Sequence, residues 1–171
     1  MNRILILLFF SFLSFTSISQ TKSSVDFTIR NLGINVDGHF NEFSVEAEFD
    51  ANDKLVSISG KAKVASIKTG IEKRDKHLLE DEYFDLNNHE YIMLSSDEIT
   101  QSNSSSYKVN ANITVKGKTK AIKIPIQVKK TDTFFKITSN FEINRQDFDV
   151  GGGSFVMSKT VKINVIHYQK R

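Results

Sequence analysis

Five consecutive residues, Lys73-Arg74-Asp75-Lys76-His77, form the densest chemistry-bearing stretch of the sequence. Arg74, Lys76 and His77 have the charge and the donors to meet an anionic or polar headgroup, and the amides of a helix N-terminus would add to that attraction. The alternative role is structural, with Arg74 and Asp75 forming an ion-pair network that pins a short helix. His77 and Asp75 are also the only pair that could supply the base and nucleophile of an active site, and no further catalytic polar set accompanies them. Ser154 follows three glycines but lacks the G-x-S-x-G elbow of a serine hydrolase. His39, His77, His89 and His167 show no H-x-H or H-x-x-x-H spacing, and the chain has no Cys, so neither a metal site nor a cofactor is expected. Asp81, Glu82 and Asp85 read as a solvated face. The polar inventory points to binding rather than catalysis.

The composition narrows the partners. The 171 residues carry 23 Lys+Arg against 20 Asp+Glu, with one Pro, no Trp and fourteen Phe. A net charge of +3 without basic clusters gives no footprint for nucleic acid. Met1-Asn2-Arg3 is a basic start, Ile4 to Phe15 is almost wholly apolar, and Ser17-Ile18-Ser19 offers the small residues that a signal peptidase reads. About a dozen apolar residues are too few to cross the roughly 30 Å hydrocarbon core, and no Cys follows for an acyl anchor. Residues 1–19 are therefore expected to be a cleaved signal peptide, with cleavage near Ser19-Gln20 and residues 20–171 forming one exported domain, periplasmic or secreted, with no stable membrane anchor. Phe9, Phe10, Phe12 and Phe15 belong to that leader; the other Phe belong to the domain.

The elements that must position these groups are strands. Val25, Phe27 and Ile29 alternate with polar residues, as do Phe43, Val45, Ala47 and Phe49, and Val56, Ile58, Ala62 and Val64. The same period runs through Tyr107 to Val115, Ile122 to Val128, Phe135 to Ile143 and Val161 to Val165. A period of two with one wet face marks antiparallel strands. Ile34–Val36 and Ile92–Leu94 add short strands, for about eight or nine in all. Asp37-Gly38, Ala51-Asn52-Asp53, Gln101 to Ser106, Lys116-Gly117-Lys118, Thr131-Asp132 and Gly151-Gly152-Gly153 read as turns between them. Pro125, within one of these runs, donates no hydrogen bond and marks a strand edge, a bulge or an irregular pairing. Between residues 69 and 86 the alternation stops, and Thr69 with Glu72 has capping-box spacing, which predicts a short helical excursion. So many amphipathic strands close most economically as a barrel, and a two-sheet sandwich satisfies the same pattern.

One stretch is specific. Ser66-Ile67-Lys68-Thr69-Gly70-Ile71-Glu72-Lys73-Arg74-Asp75-Lys76-His77-Leu78 resembles the S-I-x-T-x-x-x-x-R-D-x-H-L motif of the YceI-like family of lipid- or polyisoprenoid-binding periplasmic proteins. Glu82-Tyr83-Phe84-Asp85 resembles that family's d-F-F-D element, Tyr107 to Lys120 its hairpin, and Arg145-Gln146-Asp147-Phe148 its R-x-D-F element. Upstream, Val25-Asp26-Phe27 and Leu32 to Phe40 resemble its opening strands. The resemblance spans about residues 23 to 166. Departures fall at His89-Glu90-Tyr91-Ile92-Met93-Leu94, where a proline and an aromatic are lost, and at Asp149 in place of a usual Gly.

The resemblance implies an all-β fold, an eight-stranded antiparallel lipocalin-like β-barrel with a short helical excursion around residues 69–86. It also implies a non-enzymatic binding role, in which the interior takes a long-chain isoprenoid or acyl lipid for carriage or sequestration, and a homodimer. The physics is compatible, since each buried CH₂ contributes roughly 0.8 kcal/mol and one inward apolar row per strand supplies an apolar tube. The inward-facing candidates are Phe27, Phe40, Phe43, Phe49, Ile58, Val64, Val109, Ile113, Phe135 and Phe141, with Ala47, Ala62 and Ala111 leaving room between them. Arg74, Lys76 and His77 would meet the headgroup. The alternative is a stress-response or interaction module of the same fold whose barrel is packed solid.

Overall fold

A computed structural model describes residues 22–171, so the expected signal peptide over residues 1–19 and its cleavage site lie outside the described residues. Among the described residues, ten strands form one antiparallel sheet in the order β3-β4-β6-β7-β8-β9-β10-β1-β2-β5. They are β1 (Ser24–Asn31), β2 (Ile34–Phe40), β3 (Phe43–Phe49), β4 (Leu55–Lys63), β5 (Ile67–Lys68), β6 (Tyr91–Gln101), β7 (Ser106–Val115), β8 (Lys118–Lys130), β9 (Phe134–Asn144) and β10 (Met157–Lys170). The helix α1 (Glu72–Leu78) occupies the expected excursion.

The expected eight strands and the observed ten differ because two long strands are bent. Asn41 and Glu42 separate β2 from β3, and a 3-10 turn, Val64–Ser66, separates β4 from β5. Both halves stay in one antiparallel ladder, Phe43 opposite Ala62 and Phe40 opposite Ile67. Backbone bonds from Asn41 N–H to the Ser66 carbonyl (3.1 Å) and from Lys63 N–H to the Glu42 carbonyl (2.9 Å) hold the corner. Bending carries β2 against β1 while β3 turns away, and the sheet curls back on itself as a lipocalin-like barrel. Backbone pairing does not close the last seam. There Gln169 of β10 bridges to β3 with its side-chain amide, accepting from Ala47 N–H (3.1 Å) and donating to the Ala47 carbonyl (2.7 Å).

Three local expectations need correction. Asp37-Gly38 is no turn but lies inside β2; the hairpin turns instead at Leu32-Gly33, both in the left-handed region (φ 50° and 80°). Gly38 is required by packing, since a Cβ there would stand 2.3 Å from Cζ of Phe27 and 2.8 Å from the Lys68 carbonyl. The Thr69/Glu72 capping box does not form: Ile71 is the N-cap and has no side-chain cap bond, while Glu72 pairs with Lys76 at 2.8 Å. The strand expected at Ile92–Leu94 extends to Gln101, because Ser96 replaces an apolar residue on the half-buried row and accepts a bond from Ile58 N–H (3.0 Å), followed by a bulge.

Pro125 does mark irregular pairing. It keeps register with Lys108 of β7, but the β8–β9 ladder covers only Gln127–Lys130 against Phe135–Thr138. Beyond it the strands part, and the Ser139 hydroxyl, not a backbone N–H, donates to the Pro125 carbonyl (2.7 Å). Phe148, at the end of a 3-10 turn Arg145–Phe148, packs at this parting with Ile113, Val115 and Val150.

Candidate ligand-binding cavity

The barrel is solid at one end and hollow at the other. At the solid end Phe49 and Phe135 stack at 3.9 Å between ring centroids, and Tyr107, Val109, Ala111 and Leu55 pack with them into a buried cluster. Ile58, Ile124, Ile126 and Ile137 belong to that cluster and also form the floor of a cavity of about 270 Å³. Its walls come from Val25, Phe27, Ile29 and Val36 of β1 and β2, Ile113 of β7, Phe141 of β9 and Ile163 of β10. Across its far end lie Leu78 of α1 and, just after it, Tyr83 and Phe84.

Of the ten inward-facing candidates, Phe27, Phe40, Ile58, Ile113 and Phe141 line this cavity. Phe43, Phe49, Val64, Val109 and Phe135 do not. Phe49, Val109 and Phe135 build the solid end, Phe43 packs in the cluster around Phe40 and Ile67, and Val64 is buried in the 3-10 turn. Alternation assigns a residue to the inner face but not to a level along the barrel axis, and only the level decides between plug and wall. Ala62 lines the cavity, whereas Ala47 and Ala111 sit in the plug.

The charged cluster divides the same way. Arg74 and His77 line the cavity; Lys76 does not, being paired with Glu72 on the outer face. Arg74 donates from Nε to Thr69 Oγ1 (2.7 Å) and from Nη2 to the Thr69 carbonyl (2.6 Å). The buried Asp75 carboxylate accepts from Thr69 N–H (2.8 Å) and Thr69 Oγ1 (2.5 Å). Arg74 and Asp75 thus grip the same threonine rather than each other, and fasten α1 to the chain leaving β5. His77 turns to Glu80 (2.8 Å) and lies edge-on to Tyr83, so His77 and Asp75 have different partners.

Among the further polar residues of the wall are Arg145 and Asn31, neither of them a site candidate in the sequence. Arg145 is 3% exposed and donates only to carbonyls: Nε to Ser158 (2.9 Å), Nη1 to Val150 (2.6 Å), Gly151 (3.1 Å) and Gly152 (2.8 Å), and Nη2 to Met157 (3.2 Å). Burial pushes its pKa down from the ordinary value, with the neighbouring Tyr83 acting the other way, and a guanidinium remains cationic regardless. Its place in the R-x-D-F element was the available signal. Asn31 Oδ1 is buried with no hydrogen-bond partner among the described residues, and the residue lines the cavity. No sequence signal marks it. An unmet buried acceptor is costly, and a ligand that brings a donor would satisfy it.

An all-β curled barrel, plugged at one end and holding an apolar chamber at the other, defines a lipocalin-like architecture. The chain belongs to the YceI-like domain family, whose model matches residues 17–166. A UPF0312 protein of Staphylococcus epidermidis is 31% identical over 103 residues, a match covering 58% of this chain and 57% of that relative's length. Among solved structures, Burkholderia cenocepacia BcnA superposes with a TM-score of 0.80 at 22% identity, covering 86% of this chain and 96% of that one. A polyisoprenoid binding domain from Saccharophagus degradans, described as implicated in plant cell wall breakdown, superposes with a TM-score of 0.71 at 16% identity, covering 88% of this chain and 95% of that one. Both likenesses concern the fold.

Proposed function

We propose that the protein binds one long-chain apolar molecule, of polyisoprenoid, isoprenoid-quinone or fatty-acyl type, and carries or sequesters it outside the cytoplasm without chemical conversion. The observation that carries this reading is the cavity of about 270 Å³ walled almost entirely by aliphatic and aromatic side chains. Such a space gains roughly 0.8 kcal/mol for each CH₂ it takes out of water and has few polar groups with which to react. Asn31, Arg74 and His77 are the wall residues that would meet the head. The relative whose description names a polyisoprenoid supports the choice of ligand class, and the leader-like pattern of Met1 to Ser19 supports export. The packed-barrel alternative finds support in the solid end but leaves the chamber without a purpose.

Native mass spectrometry of the exported protein, with organic extraction of its cargo, tests the proposal and reads the oligomeric state in the same spectrum. A bound long-chain lipid is expected. Ala62→Phe, which fills the chamber from β4, should remove it while costing the fold about 1–3 kcal/mol. An exported protein that carries no lipid and takes up no fluorescent long-chain fatty acid would sink the reading.

A further inference from the structure

The apolar row that β1 gives to the chamber ends on a polar side chain. Val25, Phe27, Ile29 and Asn31 all line the cavity, and Asn31 is the last residue of that strand. Its Oδ1 is buried without a hydrogen-bond partner among the described residues. Folding has taken this oxygen out of water and supplied no donor in return, which is costly unless something held in the chamber donates to it. Met157, the partner of Asn31 on β10, lines the same cavity.

A buried cation is tied to that partner. Arg145 Nη2 donates to the Met157 carbonyl (3.2 Å), and the other hydrogen bonds of this guanidinium also go to carbonyls, none to a carboxylate. Carboxylates do stand near this end of the barrel, but they are engaged or outside. Glu80 is turned to His77 (2.8 Å), Asp149 pairs with Lys118, and Glu82 is exposed; none of the three lines the cavity. Among the described residues, Asp26 is the one carboxylate that does. It lies far back along β1, roughly 17 Å from Asn31 at the rise of an extended strand, and accepts from Ser24 Oγ (2.7 Å).

Together Asn31 and Arg145 sort the heads a lipid could bring. An ether, ester or quinone has only acceptors and leaves Oδ1 unmet. An ionised carboxylate also turns only lone pairs toward it, and the positive field of Arg145 holds such a head in its ionised form. An ammonium can donate, but it would stand near a buried cation that has no carboxylate partner. An uncharged hydroxyl passes both filters. It donates to Oδ1 and also accepts, so it suits the amino group of the same carboxamide.

We propose that the cargo is a long-chain alcohol, straight or isoprenoid, whose hydroxyl donates to Oδ1 of Asn31. The inference rests on the lipid-binding function proposed above and ranks an alcohol head over quinone and fatty-acid heads. The test offers delipidated mature protein equimolar pairs of probes at neutral pH: dodecanol with its methyl ether, with dodecanoic acid, or with dodecylamine. The tails are identical, so their burial cancels, and the retained molecules are extracted and quantified by gas chromatography. Dodecanol should be retained at least about tenfold over each competitor, the scale on which a buried group left unpaired is felt. Asn31→Leu removes the acceptor at similar volume; it should hold alcohol and ether almost equally while melting no lower than wild type. Equal retention of alcohol and ether by the wild-type protein overturns the proposal and leaves lipid binding intact. A preference for the acid or the amine overturns it in favour of a charged head. An alcohol preference that survives in a folded Asn31→Leu variant overturns the assignment to Asn31. Retention of none of the four probes overturns this proposal together with the function on which it rests. The wild-type ranking is read without the variant, so it decides the matter even where Asn31→Leu fails to fold.

Discussion

Replacing Arg145 with Met keeps the length and most of the volume of the side chain and removes every donor. Five carbonyls lose their partner, those of Val150, Gly151, Gly152, Met157 and Ser158. The last three belong to residues that are half-buried or exposed, and their carbonyls can turn to water; Val150 and Gly151 are buried and theirs cannot. Two stranded acceptors at roughly 1–3 kcal/mol each, together with the lost charge-assisted bonds, make a cost of about 3–5 kcal/mol, partly offset because a desolvated cation is also removed. For a domain of this size that lowers the melting temperature by roughly 10 °C. Arg145→Lys keeps the charge and three donors but not the planar fork, so an intermediate loss is expected. Urea unfolding followed by far-ultraviolet circular dichroism gives both numbers. If Arg145→Met unfolds within about 0.5 kcal/mol of wild type, the account of this residue as the clamp of the Gly151–Gly153 loop is wrong.

Other perturbations give distinct readouts. Phe135→Ala at the solid end should cost about 3–5 kcal/mol, because its stacking partner Phe49 loses the ring at 3.9 Å; an unchanged urea midpoint would contradict the plug. Gly38→Ala should destabilise by about 1–3 kcal/mol, since the new methyl meets a backbone carbonyl that cannot swing aside, and the shifted Phe27 should weaken lipid retention in the same preparation. His167 has its pKa held below the ordinary value, first by burial, with a hydrogen bond to Gln169 acting the other way. Its neutral form is the one favoured by the fold, so the unfolded chain takes up the proton first as pH falls through about 6.5. Stability should therefore decline between that pH and the lower folded-state value, and His167→Gln should flatten this slope in urea titrations across pH 5 to 7.5.

Much of this architecture is written in period-two alternation, and its limits are equally physical. Alternation located β1, β3, β4, β7, β8, β9 and β10, and most plainly β7, where every second residue from Tyr107 to Val115 is buried. It shortened β6, where Ser96 fills an inner position by giving the Ile58 amide an acceptor instead of an apolar contact. It misplaced the first turn, because Asp-Gly is a strong local turn signal and the need for Gly38 comes from a distant ring and a distant carbonyl. Thr69 and Asp75 fell within the recognised motif, but the bond between them replaces a capping box with a side-chain knot that spacing alone does not distinguish.

The chamber itself is the least legible feature, because it arises from pairing rather than from residue type. Pro125 has no N–H, so β8 and β9 stop pairing at Gln127 and Thr138 and splay toward the hollow end. A continuous ladder would keep the strands about 4.8 Å apart; the splay widens the barrel where Ala62, Ile113 and Phe141 face each other across empty space. Phe148 then packs at the parting, and Arg145, three residues earlier, ties the following loop to the rim. On this account the proline makes room, the R-x-D-F element keeps the wall intact around it, and the aromatic plug at the other end lets the barrel keep a core while one half stays hollow. Pro125→Val tests the chain of cause directly: an added N–H facing β9 should extend the ladder, protect amides of residues 123–125 from hydrogen exchange and reduce lipid capacity. Unchanged exchange with unchanged capacity would show that the splay has another origin.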